Sequence, residues 1–226
     1  MVTAASERRG LRSVLKQTIP DAVVARTLRK GPDSSVLLTF DDGPSPDVTP
    51  AVLERLDRYG ARALFFVIGR RVKRVPHLLA QIRARGHALG NHSHLHRRHY
   101  VLQSERSPRF CEYYRDVRRC QEVIERETGE LPRLFRPPGG RLTPVTVIVP
   151  RLLGLRCISW SREVQDWRFR STAEARDGAV RLAAAIQPRD IVLLHDDNPC
   201  VLDLLDELLP ALAARGLDLT KAVDYL

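Results

Sequence analysis

The sequence predicts an α/β fold of parallel strands in a barrel-like sheet, and three observations predict it. From residue 35 onward, short apolar runs alternate with amphipathic helical patterns, the order expected of successive βαβ units. The apolar runs are continuous rather than alternating, so these strands are buried on both faces, as parallel strands are. Six or seven such units in about 190 residues suggest a barrel-like sheet rather than a small open one, with a doubly wound sheet as the alternative.

Val36–Phe40 (VLLTF) reads as the first strand, followed by a helix over Thr49–Tyr59 with Val52, Leu53 and Leu56 on one face. Ala63–Ile68 (ALFFVI) is the second strand, and Val72–Arg85 the next helix, with Val75, Leu78, Leu79 and Ile82 aligned. His87–Gly90 is a short strand, Phe110–Thr128 a long helix, Leu134–Arg136 a short strand and Pro144–Leu153 a helix. Arg156–Trp160 (strand), Ala173–Ile186 (helix), Asp190–Leu194 (strand) and Val201–Ala214 (helix) complete the pattern.

With 43% apolar and 28% charged residues, 226 residues can bury a sizeable core, which excludes fibrous, low-complexity and wholly disordered classes. The formal net charge of +10 suggests an acidic partner, but its distribution narrows that suggestion. Residues 1–30 carry +5 and residues 97–120 carry +4, while the rest of the chain is near neutral. This is not a uniform nucleic-acid surface, and aromatics at 6% are few for base stacking. The chain therefore divides into a basic N-terminal arm (1–34) and an α/β domain (35–226). No run approaches the roughly 20 apolar residues of a membrane span, and no 7–15-residue apolar stretch follows the N-terminal basic residues as in a signal peptide. Cys111, Cys120, Cys157 and Cys200 lack zinc-ribbon spacing. Nine residues of helix between Cys111 and Cys120 rise about 13 Å, too far for a disulfide. The expectation is four free thiols in a cytoplasmic protein.

The reactive side chains fall where strands end. Asp41 and Asp42 follow the first strand, His92 and His96 the third, Arg136 ends the fourth, Asp166 follows the fifth and His195 closes the sixth. In a parallel barrel these C-terminal ends meet on one face, which makes a shared site the economical reading. Taken alone, Asp41-Asp42-Gly43-Pro44 also suits a tight turn. Two adjacent carboxylates can instead divide labour between holding a cation and taking a proton. One carboxylate with two imidazoles makes a three-ligand site with open positions, the arrangement of a catalytic metal.

Thr39-Phe40-Asp41-Asp42-Gly43-Pro44 and His92-Ser93-His94-Leu95-His96 resemble the first two motifs of the metal-dependent polysaccharide deacetylases, carbohydrate esterase family four, which include chitooligosaccharide and peptidoglycan deacetylases. Phe135-Arg136-Pro137-Pro138-Gly139-Gly140 resembles the third motif, Trp160 through Asp166-Trp167 the fourth, and Leu193-Leu194-His195 the fifth. The resemblance implies a distorted, incomplete (β/α) barrel with its active site at the C-terminal strand ends. It also implies a hydrolase that removes acetyl groups from N-acetylated amino sugars of a glycan or glycoconjugate.

Carried over residue by residue, the resemblance assigns Asp42, His92 and His96 to a divalent metal, with zinc expected and cobalt, nickel or manganese as alternatives. Asp41 is then the general base, oriented by Arg136, and His195 the general acid, oriented and charge-stabilised by Asp166. A backbone N–H near Pro138-Gly139 would face the oxyanion, while Leu193 and Trp167 would wall the acetyl group. Two positions depart from the family pattern: Gly139 stands where an aromatic is frequent, and Glu163 where the fourth motif frequently has its first Asp. Both bear on substrate shape rather than on the reacting groups. His94, between two ligands, corresponds to a variable position.

Residues 97–109 follow the second histidine, so Arg97, Arg98 and Arg109 are candidates to meet an anionic feature of the substrate, against a solvated loop. In the arm, Leu11, Val14, Leu15 and Ile19 recur at helical spacing among basic residues. Residues 8–30 thus suit either a packing helix, a frayed tail or peripheral contact with an anionic membrane. Three rivals to the amidase reading are a catalytically silent glycan-binding protein on the same scaffold, an O-acetyl esterase, and an iron oxygenase. Oligomeric state is not read from the sequence.

Overall fold

Strand β2 (Leu37–Asp41) is buried along its whole length, and the two-residue period of a strand sorts its side chains. Leu38 and Phe40, with Val36 just before them, pack outward into a core shared with the helices. Leu37 packs inward with Leu64, Phe66, Leu134, Ile158 and Ile191. The inward column continues from Leu37 through Thr39 to Asp41, so one strand runs from an apolar floor to a carboxylate at its C-terminal end. The computed structural model describes residues 24–97 and 109–226.

The remaining strands are β1 (Val24–Ala25), β3 (Leu64–Val67), β4 (Ala88–Asn91), β5 (Leu134–Phe135), β6 (Arg156–Ile158), β7 (Arg162–Glu163) and β8 (Ile191–His195). They form one curled sheet in the order β1-β6-β5-β4-β3-β2-β8-β7, with parallel pairing at every step. This is the distorted, incomplete barrel expected from the sequence. Its outer layer is α1 (Val48–Arg58), α2 (Gly69–Val72), α3 (His77–Ala84), α4 (Phe110–Thr128), α5 (Pro144–Leu152), α6 (Thr172–Ala185) and α7 (Cys200–Ala214). Local chemistry sets the ends of these helices. Thr143 and Thr146 form a reciprocal cap ahead of α5, Ser171 accepts the Glu174 N–H at the start of α6, and Gly129 at φ 74° stops α4.

The structure corrects the sequence reading at three places. The helix predicted over Val72–Arg85 is shortened to α3, because Pro76, which cannot donate a backbone N–H, stands at its start, and Val72 instead ends the separate α2. The strand predicted over Arg156–Trp160 stops at Ile158, and β7 follows as a separate strand against β8. Residues 24–34, placed with the basic arm, belong in part to the fold itself. Val24 and Leu28 are buried, Val24 pairs with Cys157, and Thr27 bridges to Asp190. A membrane-facing role therefore does not extend to Val24 or Leu28, and residues 8–23 lie outside the described residues. Cys111 and Cys120 share α4 as expected, and all four thiols are unpaired. Among the described residues no helix is long and apolar enough to cross a membrane.

Candidate active site

A cavity of about 700 Å³ opens at the C-terminal ends of the strands, lined by Asp41, Asp42, His92, His96 and His195 among others. Asp41 and His195 are the last residues of β2 and β8 and are register partners across that strand pair. Parallel pairing alone thus sets a carboxylate and an imidazole side by side.

Arg136, just after β5, is completely buried and spans the barrel interior. Its Nη1 donates to Asp41 Oδ1 and to Thr39 Oγ1, each at 2.7 Å. Its Nη2 donates to the Ser159 carbonyl at 2.8 Å and its Nε to that of Ile158 at 3.2 Å. The guanidinium carbon also lies 4.3 Å from the Phe66 ring centroid, a cation–π contact in a dry setting. Burial pulls the Arg136 pKa down, but the Asp41 charge and hydrogen bond oppose that pull, and the guanidinium remains protonated.

On the opposite wall, the Asp166 carboxylate accepts twice from one residue: from the His195 backbone N–H at 2.7 Å and from its ring Nδ1 at 2.9 Å. Nε2 is thereby left to face the cavity. Burial lowers the His195 pKa, yet the hydrogen bond and charge of Asp166, aided by Asp41 and Asp42, outweigh it and push the imidazole up to about 9. The Trp167 ring meets the His195 ring edge-on at 4.9 Å.

Between these groups, donor atoms of Asp42, His92 and His96 gather within 4.8 Å of one another. Asp42 Oδ1 lies 3.0 Å from His96 Nε2 and 3.4 Å from His92 Nε2, yet it is buried without a geometrically satisfied hydrogen bond. Atoms so disposed converge as lone pairs do around a cation. His92 Nδ1 donates to the Arg136 carbonyl at 2.8 Å, which leaves the Nε2 lone pair for the cluster. Burial would raise the Asp42 pKa, but the flanking imidazoles hold it well below the usual carboxylate value. Asp42, Ser93 and His96 all adopt left-handed backbone, at φ 73°, 65° and 47°. Such conformations cost about 1–3 kcal/mol each and concentrate at functional sites. The donor set, its spacing and its tautomer fit a catalytic divalent metal.

The structure brings Asp41, Asp42, His92, His96, Gly139, Trp167, Leu193 and His195 to the cavity, with Arg136 and Asp166 directly behind it. Pro138 is buried in the same turn as Gly139 and does not line the cavity. His94 is buried toward α4: a Cβ on Gly69 would strike its Nδ1 and meet Cys120. Arg97 forms an ion pair with Glu112, and neither Arg97 nor Arg109 lines the cavity; Arg98 lies outside the described residues.

Sequence reasoning gave no site role to Gly140, Trp160, Gln165, Arg170, Asp197, Asn198 and Pro199, which also line the cavity. A side chain at Gly140 would collide with the Trp160 ring, a close approach that only a fold can reveal. Sequence reasoning also gave no role to Asp116 and Asn91, which brace the histidine loop. Asp116 Oδ1 accepts the Leu95 N–H at 3.1 Å and Asn91 Oδ1 the Ser93 N–H at 2.8 Å.

Comparison with known proteins agrees with this geometry. Residues 28–158 match the family model for polysaccharide deacetylase. The peptidoglycan-N-acetylglucosamine deacetylase PgdA of Listeria monocytogenes is 34% identical over 213 residues, covering 90% of this chain and 41% of that protein. The chitooligosaccharide deacetylase of Azorhizobium caulinodans is 36% identical over 198 residues, covering 81% and 90%. The peptidoglycan deacetylase PdaC of Bacillus subtilis superposes with a TM-score of 0.70 at 28% identity, covering 80% and 84%. A mutant of BA3943, a family 4 pseudoenzyme with restored enzymatic activity, superposes equally well at 26% identity, covering 81% and 64%. The chain belongs to the polysaccharide deacetylase family. It spans less than half the length of its Listeria relative.

Proposed function

We propose that this protein is a metal-dependent amidase that removes acetyl from N-acetylated amino sugars of a glycan. The observation that carries the reading is that Asp41 and His195, register partners on adjacent strands, flank the Asp42–His92–His96 cluster in one cavity. A divalent ion held by Asp42, His92 and His96, with zinc the expected one, would supply Lewis acidity toward the acetamide carbonyl and a lowered pKa for water. Asp41, fixed by Arg136, takes the proton as the water oxygen attacks the carbonyl carbon. The backbone N–H of Gly139, in the turn at the cavity mouth, is the chain's own donor for the developing oxyanion. His195, protonated through neutral pH by Asp166, gives its proton to the amine nitrogen as the C–N bond breaks, releasing acetate and the free amino sugar. Trp167 and Leu193 wall the acetyl pocket, and Pro138 contributes by shaping the turn.

The relatives' names favour peptidoglycan or chitooligosaccharide as the substrate class. A wall polymer would place the enzyme outside the cytoplasm, whereas four unpaired thiols support a reducing compartment and a soluble or lipid-linked sugar. The silent-binder alternative has a precedent in the pseudoenzyme, but here the base, acid, their buried partners and the ligand set occur together. Acetate release from N-acetylated oligosaccharides, peptidoglycan fragments and O-acetyl esters, by zinc-reconstituted protein, tests the reading. Turnover of the amides that falls by about 10²–10⁴-fold with Asp41→Asn is expected; full activity of Asp41→Asn or of chelator-treated protein would sink the mechanism.

A further inference from the structure

Asp196, immediately after His195, is a buried carboxyl that the mechanism above does not use. Its Oδ2 accepts the hydroxyl of Thr49, also fully buried, at 2.5 Å. The Thr49 oxygen in turn accepts the Ser45 N–H at 2.8 Å, so its single proton goes to Asp196. The Asp196 N–H lies 3.3 Å from the Asp41 carbonyl. A Cβ built on Gly43 would collide with both carboxyl oxygens of Asp196, so that carboxyl occupies the space a side chain at position 43 would need. From the other side, the Ile68 N–H donates to the Gly43 carbonyl at 2.8 Å.

The turn after Asp41 is therefore held between the ends of β3 and β8, with Asp196 as the member that touches both the turn and the start of α1. We propose that Asp196 is a positioning residue: through Thr49 and its contact with Gly43 it fixes the left-handed turn that aims Asp42 at the metal. It also ties that ligand to the strand carrying His195. The left-handed backbone of Asp42 is the conformation in need of such a hold. This inference rests on the metal site proposed above.

Calorimetric titration of the chelator-stripped full chain with Zn²⁺ alone tests it. Asp196→Ala is expected to weaken the zinc Kd by about 10–100-fold, the usual cost of losing an outer partner of a ligand. Thr49→Val should weaken it in the same direction, whereas Asp196→Asn, which keeps an acceptor for Thr49, should stay within about threefold of wild type. Gly43→Ala should weaken zinc binding on its own but add little in the Asp196→Ala background, where the colliding carboxyl is gone. An unchanged Kd in Asp196→Ala and Thr49→Val, whatever their melting temperatures, overturns the proposal, as does an Asp196→Asn loss equal to that of Asp196→Ala. If Asp196→Ala does not fold, Thr49→Val and Gly43→Ala decide the matter. Asp42→Ala separates the two levels: zinc binding undiminished in that variant would remove the metal site itself, independently of Asp196.

Discussion

On the acid–base side of the cavity, Arg136 places all three guanidinium nitrogens on acceptors, and Asp166 grips both the ring and the backbone of His195. On the metal side, the ligand atoms crowd together, Asp42 Oδ1 has no satisfied hydrogen bond, and three nearby residues sit in left-handed backbone. The first region is finished by the fold. In the second, the crowded lone pairs of Asp42, His92 and His96 form the donor set proposed above to hold a divalent ion. On the proposed mechanism, preorganisation in this site is divided: buried ion pairs hold the proton-transfer groups, and a separate donor set would hold the metal.

Metal removal should give the largest effect. Chelation, or Asp42→Ala with a zinc Kd weakened at least 100-fold, should reduce acetate release to background, while near-ultraviolet circular dichroism stays native because the acid–base side needs no ion. Asp41→Asn should follow, with kcat lower by about 10²–10⁴-fold, the contribution of a general base, and zinc binding by calorimetry retained. A loss of zinc binding in that variant would erase the division between the two regions.

Asp166→Asn sharpens the comparison through pH. Against burial, the hydrogen bond and charge of Asp166, with Asp41 and Asp42, push His195 up to about 9. An acid held protonated keeps activity up to that pH and loses it as pH rises through the folded value. Removing the Asp166 charge lowers the His195 pKa, so the alkaline limb of the kcat/KM profile should move toward neutrality, with a limb that stays in place counting against His195 as the acid. The smallest effects belong to the rim. Trp167→Ala, losing an edge-on ring contact worth about 0.5–1.5 kcal/mol, should change kcat/KM by no more than about tenfold. Arg97→Ala should leave KM for anionic and neutral glycans alike, since Arg97 is paired with Glu112 and does not line the cavity.

The buried strands and their order along the chain were legible because parallel strands advertise themselves as apolar runs: all six predicted strands are present, close to their expected limits. The two strands that escaped, Val24–Ala25 and Arg162–Glu163, are two residues long and carry no period to detect. Asp41, Asp42, His92, His96 and His195 were legible because strand ends concentrate chemistry and their order matches a family pattern. Asp196 was not, although it directly follows His195: a carboxylate beside a histidine looks solvated until Gly43 and Thr49 are seen to enclose it. Arg97 was left open between substrate and solvent for the converse reason, since a sequence shows a charge but not that Glu112 meets it.

β1 carries a consequence for the making of the molecule. Val24 is translated before its partner Cys157, which lies roughly 130 residues downstream, and Thr27 must reach Asp190. At about 5–20 residues per second of synthesis, β1 waits roughly 7–27 s for the edge it completes. A nascent chain halted before Cys157 would leave Val24 accessible to protease, so β1, which precedes the other described strands in the chain, would be among the last to be folded.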